Sequence, residues 1–150
     1  MKRLGVDCGD TIFHEWNGKL LPGSVDTLQR LCASGTFDEI HLVSKANRLV
    51  RVLFRLRLRS LDFWEQTGIP RKNLHFCRRH KDKAAICKKI GITDFVDDRL
   101  RVLSHLDIEG KRYAMNPTRK REFKRFPKTA EDVTIVTSWK ELEDLVLTTR

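Results

Sequence analysis

Short apolar runs alternate with stretches of helical spacing along the whole chain. Arg3 to Val6 is a brief apolar run and predicts a buried strand. Ser24 to Ala33 has helical spacing and follows Pro22-Gly23, with Ser24 as its N-cap. Glu39 to Val43 predicts a second strand. Asn47 to Thr67 predicts one long helix, stopped by Gly68-Ile69-Pro70. Asn73 to Cys77 predicts a third strand, and Asp82 to Ile90 a helix that Gly91 ends. Asp94 to Val96 predicts a fourth strand running into Asp97-Asp98, and Leu100 to Leu106 a short helix. Arg112 to Met115 predicts a fifth strand. Asn116 to Thr129 is polar, basic and proline-flanked, and reads as a loop or flap. Val133 to Val136 and Trp139 to Leu147 complete the pattern as a strand and a helix.

Such alternation implies an α/β fold: a mainly parallel central sheet between two helical layers, in the Rossmann-like manner. Without a repeat or a linker, residues 1 to 150 read as a single domain. Sheets of this kind bind ligands beyond the carboxyl ends of their strands. That rule selects Asp7 to Thr11, Ser44-Lys45, Arg78 to Lys83 and Asp97-Asp98, and predicts that they share one rim.

Composition narrows the class without naming a reaction. Hydrophobic residues make up 40% of the 150 and charged residues 33%, as in soluble globular chains. No apolar stretch is long enough to span a bilayer, and Asp7 and Asp10 interrupt any signal-like run, so no membrane partner and a cytoplasmic location are expected. Cys8, Cys32, Cys77 and Cys87 are scattered and form no metal-binding pair, which fits free thiols in a reducing compartment. The net charge of +10 favours anionic ligands, either polyanions or small phosphorylated compounds.

Carboxylates at the ends of two strands suit a hard divalent cation, above all magnesium. A hydroxyl and a lysine on the same rim suit phosphate oxygens, and an aspartate there can attack phosphorus. Four ordered segments carry this set: VDCGDT, ending the first strand; HLVS, ending at Ser44; KDKAAICKKIGI, with Lys83 or Lys81; and FVDD, ending at Asp97-Asp98. In these segments the sequence resembles the haloacid dehalogenase-like phosphohydrolases, over essentially the whole chain. The resemblance implies Asp7 as nucleophile and metal ligand, with the Gly9 carbonyl and Asp97 or Asp98 completing a magnesium site. It implies Ser44 and Lys83 as phosphoryl contacts. Apart from the resemblance, the same rim offers Thr11, Lys45 and Arg78 as further substrate contacts, with a solvated basic loop as the alternative for Arg78. With no long insertion after the first segment or before the third, the resemblance also implies a small member lacking a large cap domain, acting on a phosphorylated substrate.

One position departs from that pattern. The family places a second aspartate two residues after the nucleophile, as acid and then base. Here that position is Gly9, and the acid stands next door at Asp10. Residues three apart along an extended segment do not share a face, so Asp10 takes over catalysis only if a bulge re-aims it. His14 and His80 are weaker stand-ins. Gly9 therefore leaves two readings: a phosphatase, slow or with a borrowed acid, and a catalytically weakened relative that binds nucleic acid or another polyanion. The second, less favoured reading draws on Arg48, Arg51, Arg55 and Arg59, one stripe of the most basic helix, and on the aromatic-basic segment RKREFKRFPK. The plainer reading packs that helix on the sheet with its arginines in water. Cys8, Trp64 and Trp139 read as core residues. Ser44 could instead cap the helix that follows it, and one of Asp97 and Asp98 the helix at Leu100.

Overall fold

A computed structural model describes residues 1–148. Six strands form one parallel sheet: β1 (Arg3–Val6), β2 (Glu39–Lys45), β3 (Leu74–Cys77), β4 (Asp94–Asp97), β5 (Arg112–Met115) and β6 (Thr134–Val136). Their spatial order is β3-β2-β1-β4-β5-β6, so the direction of winding reverses between β1 and β4. Val6 pairs with both Leu42 and Val96, which sets the ends of β1, β2 and β4 side by side.

Alternation along β1 decides what each face holds. Leu4 and Val6 face a core built with α1 (Ser24–Ser34), α2 (Arg48–Ser60), α3 (Phe63–Thr67) and α8 (Trp139–Thr148). The opposite core takes α4 (Asp82–Ile90), α5 (Leu100–Ser104), α6 (Lys120–Arg125) and α7 (Pro127–Asp132). Gly5 faces this second side because Phe95 lies across it. A Cβ there would come within 2.4 Å of the Phe95 ring. Among the described residues no insertion of cap-domain size interrupts this three-layer sandwich.

The structure corrects four local expectations and sets aside one alternative. The long helix is two helices, because Asp62 adopts a left-handed φ of 51° that turns Phe63 and Trp64 into the core. Ser24 is not an N-cap: Gly23 holds that position, and the buried Ser24 hydroxyl has no partner among the described residues. Ser44 does not cap α2; the Asn47 side chain does, accepting from Val50 N at 2.9 Å. The flap contains α6 and α7, separated where Pro127 can open a helix but not continue one. Neither Asp97 nor Asp98 caps α5. Glu122 of α6 reaches over to accept from Leu100 N at 3.1 Å.

Candidate active site

The site is built on the ends of β1, β2 and β4 and the first turn of α4. Asp7 follows β1 and stays in the ladder through its N–H, which donates to Val96 O at 3.0 Å. Its Oδ1 accepts from Lys83 Nζ at 2.8 Å and from Ser44 Oγ at 3.3 Å. Lys83 also donates to Asp97 Oδ2 at 2.9 Å. It is thus Lys83, and not the exposed Lys81, that enters the site. Asp97 Oδ1 accepts from Arg99 N at 3.0 Å, so both its oxygens are engaged.

Asp7, Asp97 and Asp98 each place an oxygen within 4.8 Å of the others. Thr11 lies under them, 3.3 Å from Asp7 Oδ2 and 3.4 Å from Asp98 Oδ1. A hydroxyl has one proton, so it serves both carboxyls only when one of them is protonated. Asp98 is the one poised for that. Burial, with the neighbouring Asp97 and Asp7 charges, pushes its carboxyl up to about 10. Burial and Asp7 likewise push Asp97 up to about 6. Burial opposes the charge of Lys83, but Asp7 and Asp97 outweigh it and raise its pKa above the ordinary lysine value. Once Asp98 gives up its proton, three carboxylates against one ammonium leave two negative charges, and that donor set fits a divalent cation.

A cavity of about 200 Å³ opens over this cluster. Asp7, Lys83, Asp97, Asp98, Ser44 and Gly9 line it. Lys45, Arg99 and Arg119 give one rim a cationic character, and His80 stands with them. Burial and the charges of Lys45, Arg99 and Lys83 push His80 down to about 4, so it is neutral at neutral pH. Its buried Nδ1 has no hydrogen-bond partner among the described residues.

Several expected residues occupy other positions. Thr11 is fully buried beneath the carboxylates and does not line the cavity, so it orients them and is not placed to touch a substrate. Arg78 is exposed and lies outside the cavity lining. Asp10 lines the cavity but has turned: its φ is 59°, and its Oδ1 accepts from Glu15 N at 3.0 Å. Cys8 is core, and burial beside Asp7 raises its thiol pKa, which keeps it protonated. Trp64 and Trp139 are core as expected.

The arginine stripe also differs. Arg51 and Arg55 lie over the Phe76 ring at 5.7 and 5.1 Å, while Leu49, Val52, Leu53 and Leu56 face solvent. Arg48, Arg55 and Arg59 stay exposed beside these aliphatic side chains, and the fold adds nothing in favour of the nucleic-acid reading. Three residues at or beside the site were not anticipated: Arg99, Glu122 and Glu15. Glu122 holds Arg99 through its Nε at 3.1 Å as well as capping α5, and Glu15 lines the cavity beside Gly9.

No family model matches the sequence, and no curated protein matches it. Solved structures do resemble it in fold. The D,D-heptose 1,7-bisphosphate phosphatase of B. bronchiseptica, complexed with magnesium and phosphate, superposes with a TM-score of 0.74 at 14% identity over the whole of both chains. The corresponding phosphatase of Burkholderia thailandensis gives 0.70, also at 14% identity and over the whole of both chains. A protein named as a haloacid dehalogenase-like hydrolase, from Burkholderia xenovorans, gives 0.54 at 16% identity, over 90% of this chain and 61% of its own. At such identities the likeness is one of fold, and it is the fold that the four ordered segments led one to expect.

Proposed function

We propose that this single domain is a magnesium-dependent phosphohydrolase that works through an aspartyl-phosphate on Asp7. The observation that carries this reading is the buried Asp7–Lys83–Asp97 chain, with Ser44 on the same Asp7 oxygen that Lys83 holds. Lys83 neutralises a nucleophile that would otherwise repel an incoming phosphate. Asp7, Asp97, Asp98 and the Gly9 carbonyl would hold magnesium, which supplies charge neutralisation and orientation of the phosphoryl oxygens when bound.

Within that frame the chain's own residues have defined tasks. An Asp7 oxygen forms a bond to phosphorus as the bond from phosphorus to the ester oxygen breaks. Lys83 and Ser44 hold the phosphoryl oxygens, and Thr11 keeps Asp7 and Asp98 aligned from below. Water then attacks phosphorus and releases inorganic phosphate. The solved phosphatases of similar fold are named for a sugar bisphosphate. The cationic rim of Lys45, Arg99 and Arg119 suits a substrate with a further anionic group.

The test is turnover of an aryl phosphate with magnesium, in the unaltered protein and in Asp7→Asn. The reading expects magnesium-dependent release of phosphate that Asp7→Asn abolishes. Release that survives Asp7→Asn, or that persists in excess chelator, removes it.

A further inference from the structure

Gly9 leaves a gap where the resemblance places the acid, and a neighbouring turn fills that gap. A Cβ built on Gly9 would lie 3.4 Å from Glu15 Oε2 and 3.6 Å from Glu15 Cβ. The Glu15 carboxylate therefore stands beside the volume that an aspartate at this position would occupy. It lines the same cavity as Asp7 and Lys83. Among the described residues it has no hydrogen-bond or ion-pair partner, so it is available to a bound ester.

The turn holds the Glu15 backbone in place. Asp10 N donates to Phe13 O at 2.7 Å and closes the turn. The Asp10 carboxylate, turned by its left-handed φ, accepts from Glu15 N. From the other side Arg57 of α2 donates to Glu15 O at 2.9 Å. Asp10 is thus engaged with backbone and acts as a positioning residue. His80, neutral at neutral pH, lacks the acidic imidazolium proton and is a poor acid there.

We propose that Glu15 is the general acid and base of the reaction, in the role the family gives to the position of Gly9. The assignment rests on the phosphohydrolase reading above. As the Asp7–phosphorus bond forms and the ester bond breaks, the Glu15 carboxylic acid gives its proton to the departing oxygen, which leaves as an alcohol. The Glu15 carboxylate then takes a proton from the water that attacks phosphorus. Inorganic phosphate departs, Asp7 is restored, and Glu15 ends protonated as it began.

An acid matters most for a poor leaving group, which separates a catalytic role from a structural one. Phenyl phosphate and para-nitrophenyl phosphate are the two probes. Glu15→Gln should lower kcat/KM on phenyl phosphate by about 10²-fold, and by less than about 10-fold on para-nitrophenyl phosphate. Gly9→Asp in the Glu15→Gln background should restore the phenyl ester. Gly9 carries no positive φ, and its added Cβ would lie 3.4 Å from the Phe54 ring and from Glu15, so a side chain can start there without backbone strain. An unchanged ratio between the two esters overturns the assignment, as does a loss of equal size on both. If the unaltered protein releases phosphate from neither ester, or releases it equally well in Asp7→Asn, the hydrolase reading itself fails and takes this one with it.

Discussion

The two sides of the cavity are held in different ways. On the deep side, Asp7, Lys83, Asp97, Ser44 and Thr11 are buried, and they bind one another side chain to side chain at the ends of paired strands. On the shallow side, Gly9, Asp10 and Glu15 lie on a turn, and the contacts that fix them run to backbone. The deep geometry follows from strand register, so it cannot be adjusted without disturbing the sheet. The shallow geometry follows from the turn and not from strand pairing. That division matches the chemistry proposed for each side. The phosphoryl group is the same in every ester, while the leaving group is not.

The largest effect should come from breaking the deep side. Lys83→Met leaves Asp7 and Asp97 buried without their cation, which should cost about 3–5 kcal/mol in urea unfolding and abolish turnover. A cost below about 1 kcal/mol would mean that charge pairing does not hold this side.

Magnesium sharpens the same contrast. Without it, Asp97 and Asp98 keep protons in the folded state well above the ~3.9 of an unfolded carboxyl. The native state then binds more protons than the unfolded one, so stability falls as pH rises through about 6 and on towards about 10. Magnesium competes with those protons. The rise in Tm that it causes should therefore grow with pH over this window, and its binding should release protons detectable by calorimetry in buffers of different ionisation enthalpy. An increment in Tm that shrinks with rising pH would contradict the placement of the cation among these carboxylates.

The smallest effect should come from loosening the shallow side alone. Asp10→Ala removes one hydrogen bond to an exposed turn and should cost about 1 kcal/mol. The Glu15 amide should then exchange with solvent faster, while the Asp7 amide, bonded within the sheet, should not change. Equal acceleration at both amides would show that the two sides are one unit after all.

The deep side was legible in the sequence because it depends on strand ends. Each of Asp7, Ser44 and Asp97 lies at or just beyond the end of an apolar run, and parallel pairing brings such ends together whatever the intervening helices do. The choice of Lys83 over Lys81 needed the structure, since both stand near the start of α4. Thr11 and Arg78 stand outside the cavity lining for a related reason: proximity in sequence to a strand end does not fix the direction of a side chain. Glu15 was illegible because a turn returns it to Gly9 across several residues, and no periodicity describes such a return. The signal that could have found it is the glycine itself, a missing side chain with an acid a few residues on. The break at Asp62 and the two helices of the flap are likewise set by packing, which overrode a continuous helical pattern in one case and a polar composition in the other.

One contact links the turn to the far end of the fold. Trp139, at the start of α8, donates from its buried indole Nε1 to the Thr11 carbonyl at 2.8 Å. A nascent chain that has emerged only as far as β5 already carries every reactive side chain named above, yet it lacks one of the anchors of the turn between Asp7 and Glu15. Such a chain would hold the chemistry in parts, and competence would arrive late in synthesis, with the docking of α8. The same dependence makes the turn a reporter of whether that helix is seated.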